Sequence, residues 1–210
     1  MKRKAESGQL AKEFIELKVS LPSGRCETIV VPQSGTVADL KIAAQQSLGH
    51  PFLRLVATGE RLFDPTDSLR LSGFQDGDSV AAVAQQPKIA ATESAFALWC
   101  VGGHRLVTWG EPRCGGDSSR VRDQLRNVQQ ISGTGSAFAA ILADGTVVTW
   151  GDPPDGGDSS RVQDQLRNVQ QICATRSAFA AILADGTVVS WGDPERGGDS
   201  SAVQDQFMYI

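Results

Sequence analysis

The sequence predicts a small α+β domain followed by a mostly-β stack of repeated hairpins. Three observations carry this reading. Between 14 and 86 an apolar alternation gives way to one helical stripe and then to short apolar runs, with no internal repetition. Beyond 87 the chain repeats itself, with Trp109, Trp150 and Trp191 spaced 41 residues apart. Within that repeat, "SAFAAILADGTVVTWGD" at 136–152 returns at 177–193 with a single change, Thr149 to Ser190.

The elements of the first half follow in order. In "FIELKVSLPSGRCETIVV" the residues Ile15, Leu17, Val19 and Leu21 alternate, as in a strand with one buried face. "PSGR" is a turn in which Gly24 is free to take positive φ, and "CETIVV" is the return strand of a hairpin. Thr36 is placed to cap a helix whose inner stripe is Val37, Leu40 and Ala44. Gly49 suits the helix stop, with Pro51 just beyond it. "LRLVATGERL" reads as a strand and turn, and a compact loop leads to a last strand from Ser79 to Ala84.

Two strands, a helix, a strand and a final strand form the β-grasp order, and the segments "TVADLKIAAQQSLGHP", "RLVATGERL" and "SLRLSGFQDGDSVAAV" resemble those of ubiquitin-like domains. The resemblance spans about seventy residues. Such domains are generally read through an apolar patch on the sheet. The resemblance implies a protein-binding patch here of Val56 and Val83, with Arg54 at its edge and the first-hairpin corner near Pro22. A conjugated modifier ends in a free Gly-Gly, whereas this last strand runs on into "AQQPKIAA". The domain is therefore expected to be an embedded ubiquitin mimic and not a covalent tag. The domain limits are set at 1–13 for a disordered tail, 14–86 for the ubiquitin-like domain and 87–210 for the repeats, with the boundary at Pro87.

In the repeat unit "NVQQI" is a short strand and "SAFAAIL" a second, with Phe138 and Ala140 on one face and Ala139 and Ile141 on the other. "ADGT" puts Asp-Gly between two apolar runs, a strong hairpin signal. "TVVTWGD" returns, with Val147 and Thr149 facing one way and Val148 and Trp150 the other. The series of tryptophans is expected in the core. "SRVQDQLRN" reads as a short helix or turn, with Ser160–Gln163 and Ser201–Gln204 as capping boxes. A hairpin is marginal alone and is stabilised by its neighbours, so the repetition is scaffold.

The pattern from "NVQQI" through Asp-Gly to Val-Val-x-Trp-Gly resembles the blade of the regulator-of-chromosome-condensation family, over about 120 residues from Ile89 onward. It implies a partial β-propeller-like stack. Similar repeats stand beside the catalytic domain of large HECT-type ubiquitin ligases. About two and a half units are too few to close that family's ring, so the open repeat edges are expected to permit self-association. Loops "EPRC", "DPPD" and "DPER" vary between copies and are the expected binding surface of the repeats.

Chemistry is sparse. The formal charge of −4 argues against nucleic-acid binding, and no apolar run is long enough to span a bilayer. Four cysteines and two histidines show no paired spacing, so no metal site and no cofactor are expected. "GGDSS" occurs three times, with Asp117, Asp158 and Asp199, but one carboxylate per loop is thin for calcium, and a turn with a cap is the better reading. No catalytic residues are expected, and Cys114 is expected to be the most exposed thiol. The function expected is that of a non-enzymatic adaptor of the ubiquitin system, cytoplasmic or nuclear, whose partners are proteins such as ubiquitin receptors or ligase components. The alternative is a component or fragment of a HECT-type ligase.

Overall fold

A computed structural model describes residues 13–56, 63–101, 103 and 105–207. The chain forms two compact domains, Met1–Gln85 and Gln86–Ile210. The tail assigned to 1–13, His104 and the turn at 57–62 lie outside the described residues, apart from position 13.

The first domain has strands β1 (Phe14–Ser20), β2 (Cys26–Pro32), β3 (Leu53–Val56) and β4 (Ser79–Ala84) and helix α1 (Val37–Leu48). The sheet order is β2-β1-β4-β3, with β1 and β4 parallel and the other pairs antiparallel. First and last strands side by side at the centre, with the helix covering one face, constitute the ubiquitin-like β-grasp fold. The alternation of β1 drives its packing. Ile15, Leu17, Val19 and Leu21 are buried beneath α1 with Val37, Leu40, Ala44 and Leu48. Thr36 caps the helix with a full capping box: its Oγ1 accepts from the Asp39 amide at 3.3 Å, and its own amide donates to Asp39 Oδ2 at 2.8 Å. The Thr36 amide, and after it the Thr36 hydroxyl, which donates to the same Asp39 Oδ2 at 2.9 Å, favour the charged carboxylate and hold the Asp39 pKa below its ordinary value. Gly49 ends the helix with φ +68.

The second domain is three separate three-stranded antiparallel sheets. Repeat 1 holds β5 (Pro87–Ala91), β6 (Ala95–Cys100) and β7 (Leu106–Gly110). Repeat 2 holds β8 (Val128–Gly133), β9 (Ala137–Leu142) and β10 (Val147–Gly151). Repeat 3 holds β11 (Val169–Ala174), β12 (Ala178–Leu183) and β13 (Val188–Gly192). No closed propeller or barrel is present among the described residues.

The two faces of repeat 2 serve two cores. Phe138, Ala140, Val148 and Trp150 pack with Ala95, Ala97 and Trp99 of repeat 1. Ala137, Ala139, Ile141 and Val147 pack with Phe179, Ala181, Val189 and Trp191 of repeat 3. The small alanines set this spacing, because the large rings of the neighbour fill the room they leave.

Several details depart from the sequence reading. Pro87 does not merely interrupt the chain; it opens β5, where its missing N–H costs nothing at the first position of an outer strand. The "SRVQDQLRN" segment and its equivalents form the short helix or turn expected: a 3-10 turn at Ser119–Val121, turns at the equivalent positions of repeat 2, and a 3-10 turn at Ser201–Val203 followed by α2 (Gln204–Phe207). Leu125 and Leu166, which end these segments, are buried between repeats and hold them down. The capping boxes form differently: Ser160 donates its amide to Asp158, while Gln163 accepts from the Ser159 hydroxyl at 2.8 Å and donates to the Val147 carbonyl at 3.0 Å. Gln204 likewise bonds Ser200 and not Ser201. The glutamine ties the turn back to its own hairpin, a tertiary bond that local spacing does not reveal.

Candidate functional site

The outer face of the first sheet is built by period-two alternation. Leu53, Leu55, Val80 and Ala82 point into the core, so Arg54, Val56, Ala81 and Val83 stand on the opposite face. Arg54 lies directly across from Val83, and Val56 across from Ala81. Directly opposed side chains of this kind touch, and the diagonal pair Val56 and Val83 is within reach. All three residues named from the sequence thus share one surface, each half-buried. Ala81 is the fourth member, and it was missed because an alanine in "SVAAVA" carries little signal. β1 continues the face with Ser20 opposite Ala81 and exposed Lys18 opposite Ser79. At the remaining corner Leu21 turns into the core and Pro22 is exposed.

The arrangement is a small apolar centre bordered by Arg54 and Lys18. It can dock an apolar protein surface that carries acidic residues at its edge. A second exposed apolar group lies toward β2, where Phe14 is paired with Pro32 and Val30 with Glu16. Alternation in β1 marks its buried side and says nothing of which outward residues group together.

In the repeats, Asp117, Asp158 and Asp199 each accept the backbone amide two residues on, from Ser119, Ser160 and Ser201, all at 2.9 Å. These bonds, foremost the backbone one, lower each carboxyl's pKa. The carboxylates therefore close turns. No group of three or more His, Cys, Asp or Glu is placed to hold a metal ion among the described residues. The loops "DPPD" and "DPER" line one groove of about 620 Å³ through Pro153, Pro154, Asp193 and Pro194, with Arg161 and Trp191 in its wall.

The thiols are ranked otherwise than expected. Cys26 and Cys173 are exposed, whereas Cys114 is only partly so. Cys114 lies against the core between repeats 1 and 2, which its loop helps to cover. The tryptophans also split: Trp150 and Trp191 are core residues, and Trp109 is exposed.

No protein-family model matches the chain, and no curated protein matches it. Among solved structures it is similar to the ubiquitin-like domain of Plasmodium falciparum Dsk2, at 22% identity and TM-score 0.31, over 33% of this chain and 96% of that one. It is also similar to a ubiquitin of Caldiarchaeum subterraneum, at 19% identity and TM-score 0.32, over 35% of this chain and 95% of that one. The likeness lies in the N-terminal domain, whose fold stands on its own strand order and helix.

Proposed function

We propose that this chain is a non-enzymatic adaptor whose N-terminal ubiquitin-like domain docks, by the outer face of β3 and β4, onto a protein module of the ubiquitin system. The single observation behind this is the grouping of Val56, Ala81 and Val83 on one outward face, bordered by Arg54 and Lys18. The partner's chemistry follows from it: an apolar contact surface with acidic residues near its rim. β4 continues through Gln85 and Gln86 into β5, so no terminal Gly-Gly carboxylate follows the sheet and the domain works as a fixed module. The repeats, which resemble those of the regulator-of-chromosome-condensation family, act as scaffold and present the "DPPD" and "DPER" loops to further protein partners. The adaptor belongs in the cytoplasm or nucleus, where exposed thiols such as Cys26 and Cys173 stay reduced.

The experiment is calorimetric titration of the chain with a helical ubiquitin-binding module. Wild type is expected to bind weakly, and Val56→Asp to abolish binding while circular dichroism stays unchanged; equal affinity would remove the patch. The second reading, a ligase component, is favoured by the two exposed thiols Cys26 and Cys173. A ligase of HECT type holds ubiquitin as a cysteine thioester. The adaptor reading expects no reducible ubiquitin adduct on mixing with charged conjugating enzymes, and an adduct lost on replacing one of these cysteines by serine would promote the rival.

A further inference from the structure

The same joint links each repeat to the next, and among the described residues two of its halves meet no counterpart. At the first joint the Trp150 Nε1–H donates to the Gly115 carbonyl at 3.0 Å; at the second, Trp191 donates to Gly156 at 3.0 Å. Each tryptophan stacks on a phenylalanine of its own sheet, Phe138 or Phe179, at 5.2 Å between centroids. That phenylalanine's ring lies against the glycine. A Cβ on Gly115 would sit 2.5 Å from Phe138, and one on Gly156 2.6 Å from Phe179. A stacked Phe-Trp plug therefore enters a glycine socket, twice.

Repeat 1 carries the same plug. Phe96 and Trp109 stack at 5.3 Å, yet each is 43% exposed, where Phe138 and Trp150 are 0% and 5%. Repeat 3 carries the same socket. Gly197 has φ +104, beside +92 and +94 at Gly115 and Gly156. Its loop is held by the same bonds: the Thr175 hydroxyl donates to the Arg196 carbonyl at 3.0 Å, as Thr134 does to Asp155 at 3.0 Å. Among the described residues only Thr175, at 3.9 Å, comes within 4 Å of where a Gly197 Cβ would stand. On the same face, toward the other end of β12 from the socket, Ile182 is 44% exposed, while its counterpart Ile141 is 5% exposed in the second joint.

We propose that a second copy of this chain makes the missing joint. Phe96 and Trp109 of one copy enter the Gly197 socket of the next, with the Trp109 indole N–H donating to the Gly197 carbonyl. The occupant is a second copy because plug and socket are the complementary halves of a contact already made twice within the chain, and every copy offers both. Such a contact is head-to-tail, so assembly proceeds until the ends meet in a ring or continues as a filament. The inference rests on the repeats alone and is independent of the ubiquitin-like patch.

Sedimentation of the full chain over a concentration series tests it. Wild type is expected to rise above the 22.3 kDa monomer as concentration increases. Trp109→Ala blocks the plug and Ile182→Glu blocks the socket face, and each is expected to weaken association by at least about tenfold. Val107→Glu, at another exposed position of the plug sheet, serves as a second plug variant if Trp109→Ala fails to fold. The two blocked variants retain opposite halves, so their mixture is expected to form a one-to-one pair and nothing larger. A monomeric wild type throughout the micromolar range, association unchanged by either block, or variants that fail to recombine would each overturn the proposal.

Discussion

Replacing Gly156 and Gly197 separately by alanine measures what one repeat contributes to its neighbour. Both glycines hold positive φ, +94 and +104, and forcing an L-residue into that region costs about 1–2 kcal/mol. At Gly197 the cost stops there, since a Cβ meets only Thr175 at 3.9 Å among the described residues. At Gly156 the same Cβ would lie 2.6 and 2.8 Å from two atoms of the Phe179 ring. That ring is buried and stacked on Trp191, so it cannot swing aside. Overpacking of this kind adds about 1–3 kcal/mol, giving about 2–5 kcal/mol for Gly156→Ala. The assay is urea unfolding followed by tryptophan fluorescence at protein concentrations low enough to keep the chain monomeric. All four tryptophans, Trp99, Trp109, Trp150 and Trp191, lie in the repeats, so the signal is silent to the first domain. Gly115→Ala repeats the test at the other joint, where the Cβ would be 2.5 Å from Phe138. Equal losses at Gly156 and Gly197 would refute the reasoning, because the joint would then contribute nothing beyond local backbone strain.

Further expectations follow from the same contacts. Trp150→Phe removes the hydrogen bond to Gly115 and is expected to cost about 1 kcal/mol, whereas Trp109→Phe leaves monomer stability unchanged by the same fluorescence assay. Thr36→Ala deletes the α1 cap and is expected to cost the first domain about 1 kcal/mol, read by circular dichroism of the full chain. Amides of 195–207 are expected to exchange faster than those of 136–151 in dilute solution, because they follow a third sheet whose outer face lacks a neighbour among the described residues; uniform slow exchange would contradict this. The turn carboxylates Asp117, Asp158 and Asp199 have folded pKa values below the ordinary 3.8. Their contribution is thus fully present above pH 3.8 and is lost as pH falls through the lower folded values. Thermal unfolding monitored by fluorescence should show a midpoint steady from pH 7 to 5 with respect to these groups and falling below pH 4.

The parts of the fold that depend on local pattern were legible in the sequence. Alternation from Ile15 to Leu21, the Thr36 cap and the Gly49 stop place β1 and α1 with no tertiary information. The hairpin faces of repeat 2 follow from alternation around "ADGT". What stayed hidden depends on contacts between repeats. Asn127 and Asn168 take positive φ, 55 and 54, because each turns the chain into the next repeat, where the Val169 amide donates to the Gly145 carbonyl at 2.9 Å. The glycines of "GGDSS" read as loop residues, and their role against Phe138 and Phe179 emerges only when repeats are stacked. Equal spacing likewise made all three tryptophans look alike, although position in the stack separates Trp109 from the other two. For the docking patch, the resemblance to ubiquitin-like domains implied Arg54, Val56 and Val83, and strand register was needed to add Ala81.

The adaptor reading turns on whether the β3–β4 face is the surface that meets a partner. The direct measurement is an amide chemical-shift map of the isotope-labelled chain titrated with an unlabelled helical ubiquitin-binding module. The account predicts saturable shifts at Arg54, Val56, Ala81 and Val83 and at the neighbouring Lys18 and Ser20 of β1, with Val37–Leu48 of α1 unmoved. No shifts at saturating module, or shifts confined to the helix or to the Phe14 and Val30 side of the sheet, would contradict it.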